Sequence, residues 1–152
     1  MKRIMVLAVV LGLMLSVAGC SSDAPSTEAP VSTEAPVELR SGFTVNGYTI
    51  GPGANLYDAD LQRANLRDAD LTGASLASAN LYDADLTGAN LAGANLTYTK
   101  LRFADMSGAN LTYTKLRFAD MSGANLTGAD LTGADLRDAM MPDGWEEIVA
   151  AS

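Results

Sequence analysis

Between residues 54 and 141 apolar residues return every five positions without a slip: Ala54-Asn55-Leu56-Tyr57-Asp58, Ala59-Asp60-Leu61-Gln62-Arg63, and onward through 18 units to Ala139-Met140-Met141. The central position is Leu in 15 units and Met in three (Met106, Met121, Met141). The position two before it is Ala in 16 units and Thr in two (Thr99, Thr114). A straight helix cannot use this pattern, because five residues at about 100° each leave successive leucines about 140° apart and wind them over every face. A straight strand fails as well, since an odd repeat puts successive leucines on opposite faces. The chain must therefore bend once per unit. Ala and Leu share parity and point inward together, while Asn, Asp, Thr and Gly fill the positions where turns are made.

The flanks carry different patterns. Phe43-Thr44-Val45-Asn46-Gly47-Tyr48-Thr49-Ile50 alternates around Asn-Gly, a strong hairpin signal, with Phe43, Val45, Tyr48 and Ile50 on one side. After Pro142, Asp143-Gly144-Trp145-Glu146 has the form of a capping box opening a short helix with Ile148 and Val149, and Trp145 is expected to lie as a lid over the last coil. Such ends are needed because an uncovered coil edge invites association. The expected organisation is a signal segment at 1–19, a tether at 20–41, a hairpin cap at 42–53, the repeat at 54–141 and a C-terminal cap at 142–152.

The units resemble those of the pentapeptide-repeat family, which read A-(D/N)-L-x-x, over about 88 of 152 residues. The resemblance implies an all-β fold, a right-handed quadrilateral β-helix with four units per coil. The number four comes from the family and not from the parity argument. Eighteen units would then make about 4.5 coils, some 22 Å long at about 4.8 Å per coil.

The N-terminus changes the picture of where this solenoid works. Lys2 and Arg3 precede an apolar run at residues 4–17, too short at about 1.5 Å per residue to cross a hydrocarbon core of about 30 Å, which is the anatomy of an export signal. Val17-Ala18-Gly19-Cys20 resembles the lipobox of bacterial lipoproteins, which implies acylation of Cys20, the sole cysteine, and attachment to a membrane through that lipid. Ser21 after it favours, in a Gram-negative cell, the outer membrane facing the periplasm. The tract that follows repeats Ser-Thr-Glu-Ala-Pro-Val at 26–31 and 32–37 and reads as a polar tether. About 20 such residues would reach up to about 60 Å.

Composition narrows the function. The chain carries 18 acidic and 10 basic residues, a balance that disfavours nucleic acid as a partner. There is no His, no phosphate loop and no metal-ligand spacing, so neither an enzyme nor a cofactor is expected. The expectation is a non-catalytic, lipid-anchored envelope protein whose solenoid is structural or binds another envelope protein. Some pentapeptide-repeat proteins inhibit type II topoisomerases as acidic mimics of DNA, an alternative that export argues against.

With four units per coil, residue n lies over residue n+20. Tyr98 then meets Phe118, Lys100 meets Asp120 and Lys115 meets Asp135. Tyr98, Phe118, Arg117 and Arg137 form a candidate partner surface, because exposed aromatics beside arginine are typical anchors. The block at 97–111 recurs identically at 112–126; three units of offset put the copies on different faces, which points to tandem duplication more than to a single assembled patch. Asp85 under Asp105, with Asp83 nearby, is a candidate calcium site. A column of Thr72, Thr112 and Thr132, broken by Ala92, resembles the arrays of ice-binding solenoids, but Asp70, Asn90, Asn110 and Asp130 beside it make that face too polar.

Overall fold

The computed structural model describes residues 40–150. The expected signal segment, Cys20 and the tether up to residue 39 lie outside the described residues.

Each repeat is a side and a corner. In every unit the carbonyl of the central Leu accepts from the backbone N–H of the next unit's Ala, as in Ala64 to Leu61 at 3.0 Å and Ala79 to Leu76 at 3.0 Å. The residue before that Ala stands at positive φ, for example Asp58 at 54°, Gly73 at 65° and Phe118 at 57°, as a type II turn requires. This is why the parity problem disappears: the turn resets the direction of the chain before the next leucine.

Coils stack through parallel bridges between n and n+20, from Asn55 with Ser75 to Asp120 with Met140. Four units therefore complete one coil. A unit with a coil on both sides donates three backbone hydrogen bonds to them; Leu81 donates to Lys100, Asp83 to Arg102 and Asn80 to Ala59. The inward Ala and Leu/Met columns form one buried core, continuous from Ile50 to Leu131. Thr99 and Thr114 occupy the alanine column without loss, because their hydroxyls donate to the carbonyls of Leu76 (2.8 Å) and Leu91 (3.0 Å).

The outward residue between Ala and Leu has its own rule. Every Asn or Asp in that position accepts, through Oδ1, the backbone N–H two residues on, so each side opens with an Asx turn. The acids of this chain are thus largely structural. Ser75, Lys100, Lys115 and Met140 are the residues in that column that make no such bond.

At the N-terminal end β1 (Phe43–Val45) and β2 (Tyr48–Ile50) pair antiparallel, with Asn46 (φ 50°) and Gly47 (φ 84°) at the turn. Two positive φ values in succession fit a type I′ turn. Ile50 is fully buried, and Phe43, Val45 and Tyr48 pack against the core. At the other end α1 (Trp145–Ala150) starts differently from the sequence expectation. Gly144 turns the chain at φ 72° and its carbonyl accepts from Glu147, whereas Asp143 makes no side-chain hydrogen bond among the described residues. The capping box is not formed. Trp145 packs on the core but covers it only in part, leaving an open cavity of about 650 Å³ between it and Ala129, Leu131 and Leu136.

Candidate functional site

One corner of the solenoid collects Tyr98, Phe118 and Arg117. Tyr98 and Phe118 stack with ring centroids 4.9 Å apart and planes 6° from parallel, and the Arg117 guanidinium lies 5.3 Å from the Phe118 centroid. Both rings remain 58% and 38% exposed. The stack follows from the fold: both residues hold the positive-φ corner position, one coil apart. Aromatic residues rarely adopt that backbone conformation, yet Tyr98, Phe103, Tyr113 and Phe118 all do so, and all four belong to the duplicated blocks.

The duplication itself builds this pair. With a coil of 20 residues and an offset of 15, the second corner of the second copy falls one coil above the first corner of the first copy. Phe118 therefore sits on Tyr98, and the two copies meet in a single patch rather than lying on unrelated faces. The pairing of Tyr98 with Phe118 is the one expected from the column arithmetic. Arg137 stands one coil beyond Arg117 but is engaged elsewhere: its Nε and one terminal nitrogen donate to Asp135 at 2.8 and 2.6 Å. Those bonds hold the Asp135 carboxyl down at about 2. Arg117, in contrast, makes no ion pair among the described residues, and its Nε is buried without a partner.

The expected lysine pairs are corrected in the same way. Lys100 bridges Asp120 and Lys115 bridges Asp135 through the backbone, but the carboxylates turn to arginines, Asp120 to Arg102 at 3.9 Å and Asp135 to Arg137 at 2.6 Å. An Asx turn fixes one carboxylate oxygen over its own corner, where the longer guanidinium of the same patch reaches the other. Both lysines are left exposed.

The calcium expectation also fails. Asp83 pairs with Arg63 at 3.2 Å, Asp85 accepts from the N–H of Thr87 at 3.0 Å, and Asp105 accepts from Ser107 (2.9 Å) and Asn125 (3.1 Å). Hydrogen bonding from Ser107 holds Asp105 below the usual carboxylate range. Each carboxylate of Asp83, Asp85 and Asp105 is turned to its own partner, and among the described residues no group of three acidic side chains is placed to hold a metal ion. Thr72 of the threonine column likewise donates to Asp70 (2.7 Å) and accepts from Asn90 (2.9 Å), within the turn network.

Two further rings lie over glycines one coil on. A Cβ on Gly133 would come within 2.7 Å of the Tyr113 ring, and one on Gly123 within 2.7 Å of Phe103. Gly93, in the same column as Gly133 and at nearly the same φ (67° against 70°), faces open space. Gly93→Ala therefore reports only the backbone strain, about 1 kcal/mol, and Gly133→Ala adds displacement of the tyrosine. Urea denaturation should show the second variant less stable by roughly a further 1 kcal/mol; equal losses would mean that the ring does not lie there.

Comparison with known proteins agrees with this geometry. The sequence profile described as Pentapeptide repeats matches at residues 54–91, 74–112, 89–128 and 104–141. Solved structures similar to this chain include a pentapeptide repeat protein from the thylakoid lumen of Arabidopsis thaliana, at 31% identity and a TM-score of 0.56, covering 57% of this chain and 61% of that one. Another is the pentapeptide repeat protein Rfr23 from the cyanobacterium Cyanothece 51142, at 36% identity and a TM-score of 0.42, covering 58% and 57%. The chain thus spans about three-fifths of the length of these proteins. No curated protein sequence matches it. Coils of four five-residue units, stacked at n and n+20 over an Ala and Leu core, together with a profile match across 88 of 152 residues, place the chain in the pentapeptide-repeat family.

Proposed function

We propose that this is a non-catalytic protein of the cell envelope, anchored by a lipid on Cys20, that displays its solenoid on a tether as a rigid rod for binding another envelope protein. The right-handed winding of the rod is taken over from the family. The observation that carries the binding role is the corner of Tyr98, Phe118 and Arg117, where two stacked rings stay exposed beside an arginine that has no ion pair among the described residues. Aromatic and arginine side chains on a rigid support give large contact area at little cost in conformational entropy. Anchoring is supported by Val17-Ala18-Gly19-Cys20 and by the absence of any other cysteine in the chain.

The test is fractionation of cells expressing the wild type or Cys20→Ala, with radiolabelled fatty acid supplied. Wild type should be labelled and sediment with membranes, and the alanine variant should be unlabelled and released from them. Wild-type protein that stays soluble in the cytoplasm and unlabelled would remove the envelope reading and bring the acidic DNA-mimic role forward.

A further inference from the structure

We infer that the Tyr98/Phe118 corner is a docking site for an acidic polypeptide segment, and that Lys100 and Lys115 are part of it. The inference deepens the binding-rod reading by naming the chemistry of the partner.

The first support is placement. Lys115 lies on the side that leads into the Phe118 corner, and Lys100 on the side that leaves the Tyr98 corner beneath it. The two lysines therefore flank the stack, with Arg117 between them. All three cations lack an ion pair among the described residues, although acids abound on this surface. Of the carboxylates nearest in register, Asp120 and Asp135 are taken by Arg102 and Arg137, and Asp138, over Phe118, lies close enough to Arg137 to act on its charge. The arginines thus screen the local acids and leave a cationic corner on a chain of net charge −8. Charge complementarity selects an anionic partner for that corner.

The second support is that these residues work against the fold. Lys100 and Lys115, like Ser75 and Met140, stand where Asn or Asp closes an Asx turn in the other units, and among the described residues the backbone N–H groups of Arg102 and Arg117 have no acceptor. Tyr98 and Phe118 hold positive-φ positions that suit Gly or Asp better. Four locally unfavourable choices converge on one corner, where they make sense as a surface for something else.

The third is the presentation of the rings. Phe118 has one face against Tyr98 and Arg117 over its ring, so Phe118 meets solvent mainly with its edge. Ring edges carry the positive end of the aromatic quadrupole. They favour carboxylates, whereas a sugar ring would need a free aromatic face. At Phe118 an acidic polypeptide fits better than an anionic glycan.

The test uses the purified full chain and fluorescent poly-L-glutamate, with dextran sulfate as the glycan probe. The informative variant is Lys100→Asn/Lys115→Asn, which removes two charges while restoring the repeat's own residue, so its melting temperature should be unchanged or higher. Its affinity for poly-L-glutamate should fall about tenfold. Arg63→Gln/Arg67→Gln changes the net charge equally, away from the corner, and should retain wild-type affinity. No binding by the wild type, equal losses in both variants, or tighter binding of dextran sulfate would overturn the assignment. Because binding is read on purified protein, failure here leaves the envelope reading to the fractionation experiment.

Discussion

Leu96→Ala is expected to cost about 3 kcal/mol, against about 1 kcal/mol for Leu136→Ala. The two leucines share a column two coils apart, and chemically the substitutions are identical. They differ in what surrounds them. Leu96 is fully buried in the middle of the stack, and its coil is clamped on both sides by bonds such as Leu96 to Lys115 (2.8 Å) and Leu76 to Asn95 (2.8 Å). Neighbouring coils cannot close in on the cavity without breaking those bonds, so the void persists and its full cost is felt. Leu136 is only half-buried, in the last coil beside the open cavity under Trp145. That coil has a neighbour on one side only, so it can relax or fray. Urea titration of both variants measures the difference. Equal losses would mean that the C-terminal end is as well covered as the middle.

Much of the fold was legible in the sequence because the repeat leaves the chain little freedom. Parity alone demanded a bend in every unit, and the inward pairing of Ala with Leu followed from it. The number of units per coil did not follow. Nothing in A-x-L-x-x distinguishes a three-sided coil from a four-sided one; it depends on the angle at each corner, a property of backbone geometry that the family resemblance supplied and the n to n+20 bridges display. The hairpin at Asn46-Gly47 was readable because its turn chemistry is local. The helix cap at Asp143 was misread because the same letters serve a turn through Gly144.

The site was legible in part. Column arithmetic placed Phe118 over Tyr98, and the rings stack. The same arithmetic paired lysines with aspartates and failed, since it fixes which backbones are neighbours and not which way side chains turn. What it lacked was the Asx rule: once Asp120 and Asp135 are bound over their own corners, Arg102 and Arg137 compete for them better than lysine does. The same omission produced the calcium site at Asp83, Asp85 and Asp105. A reader who noticed that Asn and Asp fill 14 of the 18 places in one column could have inferred that they bond the backbone, and that Lys100 and Lys115 are the charged departures from that rule.

The coil counts residues, and this gives the second large expectation. Deleting Gly108 alone should cost more than about 4 kcal/mol, whereas deleting the five residues 107–111 together should leave a folded, slightly shorter solenoid. Gly108 supplies the positive φ (64°) of its corner. Without it the turn from Met106 to Ala109 is one residue short, and residues 109–127 fall out of register with the partners 20 positions before them, to which that coil is bonded. Removing five residues keeps Ala and Leu facing inward, because each unit presents them alike on any side. What changes is the outside. Downstream columns rotate by one side, Phe118 moves over Gly93, and Tyr98 loses its stacking partner. Circular dichroism and thermal melting should therefore show a cooperative transition for the five-residue deletion and its loss or severe depression for the single one. Poly-L-glutamate binding by the five-residue deletion should fall despite intact folding, since the solenoid's core is indifferent to the phase of its units and the binding corner is not.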